Sequence, residues 1–361
     1  MQRRLTITDI ARAAGVSIPT VSKVINGRSD VSTATRERVL GIIDKTGYVT
    51  GRAARVMRHG RSGLIDLVVP ALDSEYTYEI IRGVEEALAP TGLRLVLSTA
   101  GSESGRERQW LSKITDGSTD GAILVLARGQ STQLDALRQH GIPFVVVDHR
   151  GDLGPQVPSV GATNFAGGRT ATDYLLALGH RRIAVIGGPP DFRCSQERIS
   201  GYRAALDAAG VSVDAALVRH GTFHFDAGDE EARALLALPD PPTAIFAGND
   251  VQALGVYNAL RTVGRAAPEG VSIVGFDDVP FAARASPPLT TVRQPLAQMG
   301  RVATTMLRRL LSGEQLDTVR VEISTTLVTR ASCAPWTAVD PGDRRRDKAQ
   351  VDEMKGGDAM T

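Results

Sequence analysis

Lys23 stands among Ile18, Pro19, Thr20 and Ser22 in a run whose remaining apolar residues, Val21, Val24 and Ile25, recur at helical spacing. A helix here turns Val21, Val24 and Ile25 inward and leaves the first group facing out. That outward set has a definable chemistry. Ammonium and hydroxyl groups donate to base edges in a DNA major groove, and the apolar faces of Ile18 and Pro19 can touch a thymine methyl. Lys23 is the donor suited to guanine.

The flanking residues supply the elements that must hold such a surface. Ile10, Ala11 and Ala14 mark the buried face of a preceding helix, and Gly15 can turn with positive φ at no steric cost. Ser17 can cap the second helix, and Pro19 sits in its first turn, where a missing N–H costs nothing. The result is a helix-turn-helix over Thr8–Asn26, the alternative being a helical hairpin in an ordinary core. Charge favours the first. Through Arg61, Lys and Arg outnumber Asp and Glu by twelve to four, so this part carries +8 and the remainder −6 within a net +2. A basic head on an acidic body is the footprint of a polyanion-binding module. Ser32 then opens a third helix, Thr33–Lys45, in which Val39, Leu40, Ile42 and Ile43 would close a small core before a Gly47 cap.

From Leu64 the pattern changes to short β-rich runs alternating with amphipathic helices. The runs are 65–69, 93–97, 122–126 and 144–147, then 183–186, 218–220, 244–246 and 272–274; helices are expected over 78–89, 106–115 and 295–311. This alternation predicts two doubly wound parallel sheets, and the Gly- and Pro-rich stretch 148–163 is the expected crossing between lobes. In such sheets ligands bind beyond the C-terminal strand ends. Those positions are 71–78, 98–103, Asp148, 188–198, Phe223, Asn249-Asp250 and Asp277-Asp278.

Catalysis finds little support. The phosphate-binding G-x-x-x-x-G-K-[ST] loop, the G-x-S-x-G elbow and a G-x-G-x-x-G after the first strand are all missing from the sequence. His220 and His224 have metal-like spacing, but Gly221 and the strand end argue against a shared helix face. Asp277 and Asp278 are adjacent in a turn, which is poor geometry for an acid–base pair. No cofactor or metal is expected. With 361 residues and 42% apolar content there is enough chain for a small head and a two-lobed body. Two distant cysteines, no membrane-length apolar run and no hydrophobic leader point to the cytoplasm.

The run Thr8–Asn26, with Val31-Ser32-x-x-Thr35-Arg36 and Gly47-Tyr48, resembles the DNA-binding head of the LacI/GalR family of bacterial repressors. The likeness continues to about Ser332. It implies DNA contacts from Thr8, Ser17, Ile18, Pro19, Thr20, Ser22, Lys23 and Asn26, with Arg36, Arg52 and Arg55 placing the phosphate backbone. It also implies a hinge over 50–61 that turns helical on DNA, where two copies pack together, Ala54 is among the DNA-binding residues and Met57 wedges into the minor groove. Here Met57 replaces the usual Leu and Thr50-Gly51 the usual Pro-Asn; the alternative is a flexible basic linker. The implied domains are a head, 1–49; the hinge; a first lobe, 62–160 plus 292–322; and a second lobe, 161–291 plus 323–335, as in type I periplasmic-binding proteins. Residues 336–361 read as a polar, disordered tail.

Effector positions carried over from the resemblance are Arg198, Asn249, Asp277 and Phe223, with Tyr76 and Phe165, and with Phe192 and Phe281 as further stacking candidates. A guanidinium fork, a carboxylate and an amide together saturate vicinal hydroxyls, and an aromatic face covers the C–H side of a sugar ring. Each has a plainer alternative: Asn249 as only a helix cap, Asp277 as a turn residue, Arg198 paired within its own helix. Thr163-Asn164 stands where many relatives have Asp-Asn, a departure that can remove a ligand contact or an interlobe bond. The reading is a dimeric repressor of a pseudo-palindromic operator, controlled by a small carbohydrate in an interlobe cleft. The alternatives are a solute-binding protein and a purine- or nucleoside-responsive regulator.

Overall fold

The computed structural model describes residues 5–25, 28–46, 61–72, 74–99, 110–112, 114–115, 118–128 and 132–336. Asn26, the Gly47 cap, the hinge positions Arg52, Ala54, Arg55 and Met57, and the tail beyond 336 lie outside the described residues.

Three helices make the head: α1 (Ile7–Ala14), α2 (Ile18–Ile25) and α3 (Thr33–Thr46). Thr6 and Asp9 form a reciprocal capping box at the start of α1, and Gly15 ends it in the left-handed conformation at φ 64°. Ser17 Oγ accepts from the Thr20 N–H at 3.3 Å, the expected cap of α2. The core consists of Ile10, Ala11, Ala14, Val21, Val24 and Val39, with Ile25, Ile42 and Ile43 packed against it. Leu40 departs from expectation: it is 42% exposed, because α3 turns a narrow stripe centred on Val39 toward α1 and α2.

The body begins with β1 (Leu64–Val69), α4 (Glu75–Leu88), β2 (Arg94–Thr99), β3 (Gly121–Arg128), α5 (Thr132–Gln139), β4 (Phe144–Arg150) and β5 (Ser159–Ala162). It continues with α6 (Asn164–Ala177), β6 (Ile183–Gly187), α7 (Arg193–Ala208), β7 (Val218–His220), α8 (Phe225–Leu236), β8 (Ala244–Ala247), α9 (Asp250–Thr262) and β9 (Ser272–Asp277). The last elements are β10 (Thr290–Arg293), α10 (Leu296–Leu311), β11 (Arg320–Ile323) and β12 (Thr326–Val328).

The strands form two six-stranded sheets, ordered β11-β5-β4-β3-β1-β2 and β12-β10-β9-β8-β6-β7. All pairings are parallel except β10 with β12. Parallel strands buried on both faces need continuous apolar runs, and β6, β8 and β9 are buried throughout. In the first lobe α4 and α10 cover one face, and Trp110, Ile114, Leu134 and Leu137 the other. In the second lobe α6 and α7 cover one face and α8 and α9 the other.

The Asp148–Thr163 stretch is not itself the crossing. It contains the end of β4 and all of β5, both in the first sheet, so the chain leaves that lobe only at Thr163. Val160 and Ala162 are buried there, which a short Gly-flanked run conceals. The chain returns after Arg293 into α10 and leaves again between Ile323 and Thr326. Two crossings are tied together: Thr163 N–H donates to the Ile323 carbonyl at 3.0 Å, and Thr163 Oγ1 accepts from the Thr325 N–H at 3.0 Å. Thr163 therefore ties two of the crossings together through its backbone and its hydroxyl.

Candidate functional site

Strand ends of both lobes converge on a cleft of about 610 Å³. Its second-lobe wall is built around Arg198, on α7. Gly168 on α6 lies so close beneath that a β-carbon there would meet the Arg198 carbonyl at 2.2 Å, and Gly201 fits as tightly against the Phe165 carbonyl. Two facing glycines thus bring α6 and α7 together and fix the height of Arg198. The side chain is 4% exposed. Its Nε donates to Asn164 Oδ1 at 2.9 Å, Nη1 donates to the Gly248 carbonyl, and the guanidinium lies 3.7 Å from the Phe276 ring centroid.

Asp277 closes β9 with φ 108°, a conformation that turns its carboxylate off the strand line into the cleft. Its Oδ1 stands 3.8 Å from Arg198 Nη2 and accepts from Gln294 Nε2 at 2.6 Å. Burial raises its pKa to about 6, against the opposing pull of Arg198. Asp278 points elsewhere and binds Arg293 and Arg330, each at 2.6 Å. The adjacent carboxylates therefore divide into one cleft residue and one structural residue.

Asn249 lines the cleft and also caps α9: Oδ1 accepts from the Gln252 N–H at 2.8 Å, and Nδ2 donates to the Phe223 carbonyl at 3.1 Å. The plainer alternative is therefore part of its role, since the amide holds Phe223 at the wall. Phe223 packs edge-on against Phe192, their centroids 5.8 Å apart. Both rings line the cleft.

The first-lobe wall is made by residues distant in the chain. Tyr76, in the first turn of α4, donates its hydroxyl to Asp148 Oδ2 at 2.5 Å. Asp148 ends the buried part of β4 at φ 48°, and burial raises its pKa although the Tyr76 hydrogen bond opposes this. The Tyr76 phenol is pushed well up by its own burial, then by that carboxylate. Arg150 lies 4.1 Å from the Phe192 centroid, and an isolated bridge joins the two residues across the lobes. Cys194, at the start of α7 on the second-lobe side, is also buried at the cleft, and burial pushes its thiol up to about 12. Asp148, Arg150 and Cys194 add to the proposed set; the strand-end rule pointed to Asp148 and to 188–198, but nothing in the sequence paired Asp148 with Tyr76.

Two aromatic candidates fall elsewhere. Phe165 is 45% exposed on the outer side of α6 and does not line the cleft. Phe281 packs against the apolar core of the first lobe. His224 reaches the cleft but His220 is exposed, and among the described residues there is no His, Cys, Asp and Glu group able to hold a metal.

On the head, Ile18, Pro19 and Lys23 are exposed and Thr20 and Ser22 half-buried. Thr8 and Ser17 are exposed as well. Lys23 Nζ lies 2.6 Å from Asp30, and Arg36 donates to the Arg28 carbonyl.

A three-helix head with an open second helix, joined to a two-lobed body around a cleft that carries both charged and aromatic side chains, defines a ligand-responsive DNA-binding protein. The family model "Bacterial regulatory proteins, lacI family" matches residues 6–51, and "Periplasmic binding protein-like domain" matches 172–333. The HTH-type transcriptional regulator CelR of Thermobifida fusca is 39% identical over 338 residues, 92% of this chain and 99% of that one. The chain belongs to the lacI family, and it is a DNA-binding transcriptional regulator rather than an enzyme or a transport-linked solute-binding protein. A solved CelR–cellobiose complex is similar at 38% identity with a TM-score of 0.71, covering 91% of this chain and 100% of that one. The Lac repressor dimer bound to operator and the anti-inducer ONPF gives 25% identity and a TM-score of 0.83, covering 92% and 100%. No helix among the described residues is long and apolar enough to cross a membrane.

Proposed function

We propose that this regulator is a homodimeric repressor of a pseudo-palindromic operator whose affinity is set by a small carbohydrate held between the lobes. The observation that carries the ligand class is the Arg198–Asp277 pair, 3.8 Å apart and buried, with Phe223 and Phe192 beside it. Each sugar hydroxyl both donates and accepts, so it needs a guanidinium and a carboxylate at one site. Asp148 adds a second acceptor from the opposite lobe, and a ligand touching both walls favours closure. The cleft volume falls within the range of about 300–1,000 Å³ usual for small-ligand sites. The cellobiose held by the similar CelR structure supports the same class.

Two α2 helices of a dimer would enter successive major grooves, with Thr8, Ser17, Ile18, Pro19, Thr20, Ser22, Lys23 and Asn26 at bases or their flanking phosphates. Arg36, Arg52 and Arg55 would contact backbone, and at the hinge Ala54 would lie against the DNA and Met57 would wedge into the minor groove. Lys23 must exchange Asp30 for DNA. Calorimetric titration of the full-length protein with cellobiose, glucose, ribose, adenine and guanine tests the ligand class. Saturable binding of a sugar, lost in Arg198→Lys, is expected; binding of a purine alone would contradict it.

A further inference from the structure

Arg61 stands where the linker meets the body. Its guanidinium donates to the main-chain carbonyl of Leu311, the last residue of α10. That carbonyl is one of the orphan acceptors of a helix C-terminus, where a cation is also favoured. The next two residues are clamped by a single carboxylate: Asp120 accepts from Ser62 N–H at 2.5 Å, Ser62 Oγ at 2.8 Å and Gly63 N–H at 2.8 Å. The chain from the head thus enters the body held to the end of one particular helix.

The segment leading into the other end of that helix touches a cleft residue. Gln294, two residues before α10, donates Nε2 to Asp277 Oδ1 at 2.6 Å, and its backbone N–H donates to the Asp277 carbonyl at 3.2 Å. Gln294 is 3% exposed, and its Oε1 has no hydrogen-bond partner among the described residues. A buried amide oxygen without a donor is costly, so a ligand hydroxyl that takes over Asp277 or reaches Gln294 shifts the balance between two arrangements of this side chain. Near its start α10 packs backbone to backbone on α4: a β-carbon on Gly83 of α4 would meet the Ala297 carbonyl at 1.9 Å, and one on Gly300 would meet the Ile80 carbonyl at 2.5 Å.

We infer that Arg61 is a positioning residue for the DNA-binding head, and that α10 is the rod linking it, through Gln294, to the state of Asp277. This rests on the reading of the cleft as an effector site. The 16 residues of α10 put the two ends about 24 Å apart. Independent sites at that separation act additively.

The test compares wild type, Gln294→Leu, Arg61→Ala, Arg61→Lys and the Gln294→Leu/Arg61→Ala double variant as full-length proteins. Hydrogen exchange without DNA or ligand comes first. Gln294→Leu should raise exchange several-fold at the far end of α10, at residues 309–314, and at 61–64. A change confined to residues near 277 and 294–299 overturns the rod. Affinity for duplex DNA from the intergenic region upstream of the protein's own gene follows. Each single loss should shift it several-fold, the double should shift it no further than the larger single, and Arg61→Lys should recover most of the loss. Fold-changes that multiply, with the salt dependence falling by about one phosphate contact, would make Arg61 a plain phosphate ligand and overturn the proposal. If wild type binds no such duplex, the function reading fails while the exchange data still decide the rod.

Discussion

Arg198 Nη2 lies 3.8 Å from Asp277 Oδ1 inside the cleft, a cation and a carboxylate each within about 6% of full burial. Removing one member of such a pair strands the other, a loss of about 3–5 kcal/mol. Arg198→Ala should therefore lower stability by that order, which confuses any binding assay. Arg198→Lys keeps the charge and loses the fork. Its effector affinity should fall at least about tenfold, about 1.4 kcal/mol, with a much smaller change in melting temperature. Calorimetry and thermal unfolding on the same samples check both.

Asp277 should make the cleft pH-dependent, with opposite signs for stability and binding. Burial raises its pKa from 3.8 to about 6, so the folded state keeps a proton that the unfolded chain has released. Its contribution to stability is therefore greatest below about pH 4 and is lost as pH rises to about 6, a change of about 3 kcal/mol. Effector affinity should run the other way, falling as the pH drops below about 6, because the protonated carboxyl is a poorer acceptor. Differences between wild type and Asp277→Asn isolate the group from other carboxylates, and both profiles should flatten in the variant over that window.

Gly83 allows α4 and α10 to touch. In Gly83→Ala the new β-carbon would overlap the Ala297 carbonyl at 1.9 Å, so the helices must separate. A loss of about 1–3 kcal/mol or more is expected, read by thermal or denaturant unfolding.

Lys23 should set one operator position. Lys23→Ala is expected to reduce discrimination there by about 1–3 kcal/mol while leaving other positions unchanged, whereas Arg55→Ala should weaken all duplexes about equally. A panel of single-base operator variants separates the two.

Where local pattern and tertiary packing agree, the sequence was a good guide. The helix-turn-helix was readable because Gly15, Ser17 and the Val21–Val24 spacing act within a few residues. Alternating runs likewise located β1–β4 and β6–β9 but not β5, and strand ends located Arg198 and Asp277. What escaped depends on contacts distant in the chain. Tyr76 and Asp148 meet across 72 positions. Phe165 looked like a ligand-stacking residue, but Gly167 and Gly168 mark the buried face of α6: one lies under the Phe276 ring and the other on the Arg198 backbone, so the phenylalanine points out. A hydrophobic count does not detect a face made of glycine. Leu40 misled in the opposite way, since a long apolar side chain on a helix with a narrow contact stripe stays at the surface.

The proposed function joins the two ends of the molecule: a sugar in the Arg198–Asp277 cleft would change how the head holds DNA. The direct test is titration of the full-length protein against its upstream intergenic duplex at two salt concentrations, with and without each sugar that calorimetry shows to bind. Tight, salt-sensitive binding is predicted in wild type, shifted by about 5–150-fold by the sugar, with the shift abolished in Arg198→Lys. An unshifted operator affinity in wild type at saturating sugar, or a full shift in Arg198→Lys, would contradict the account.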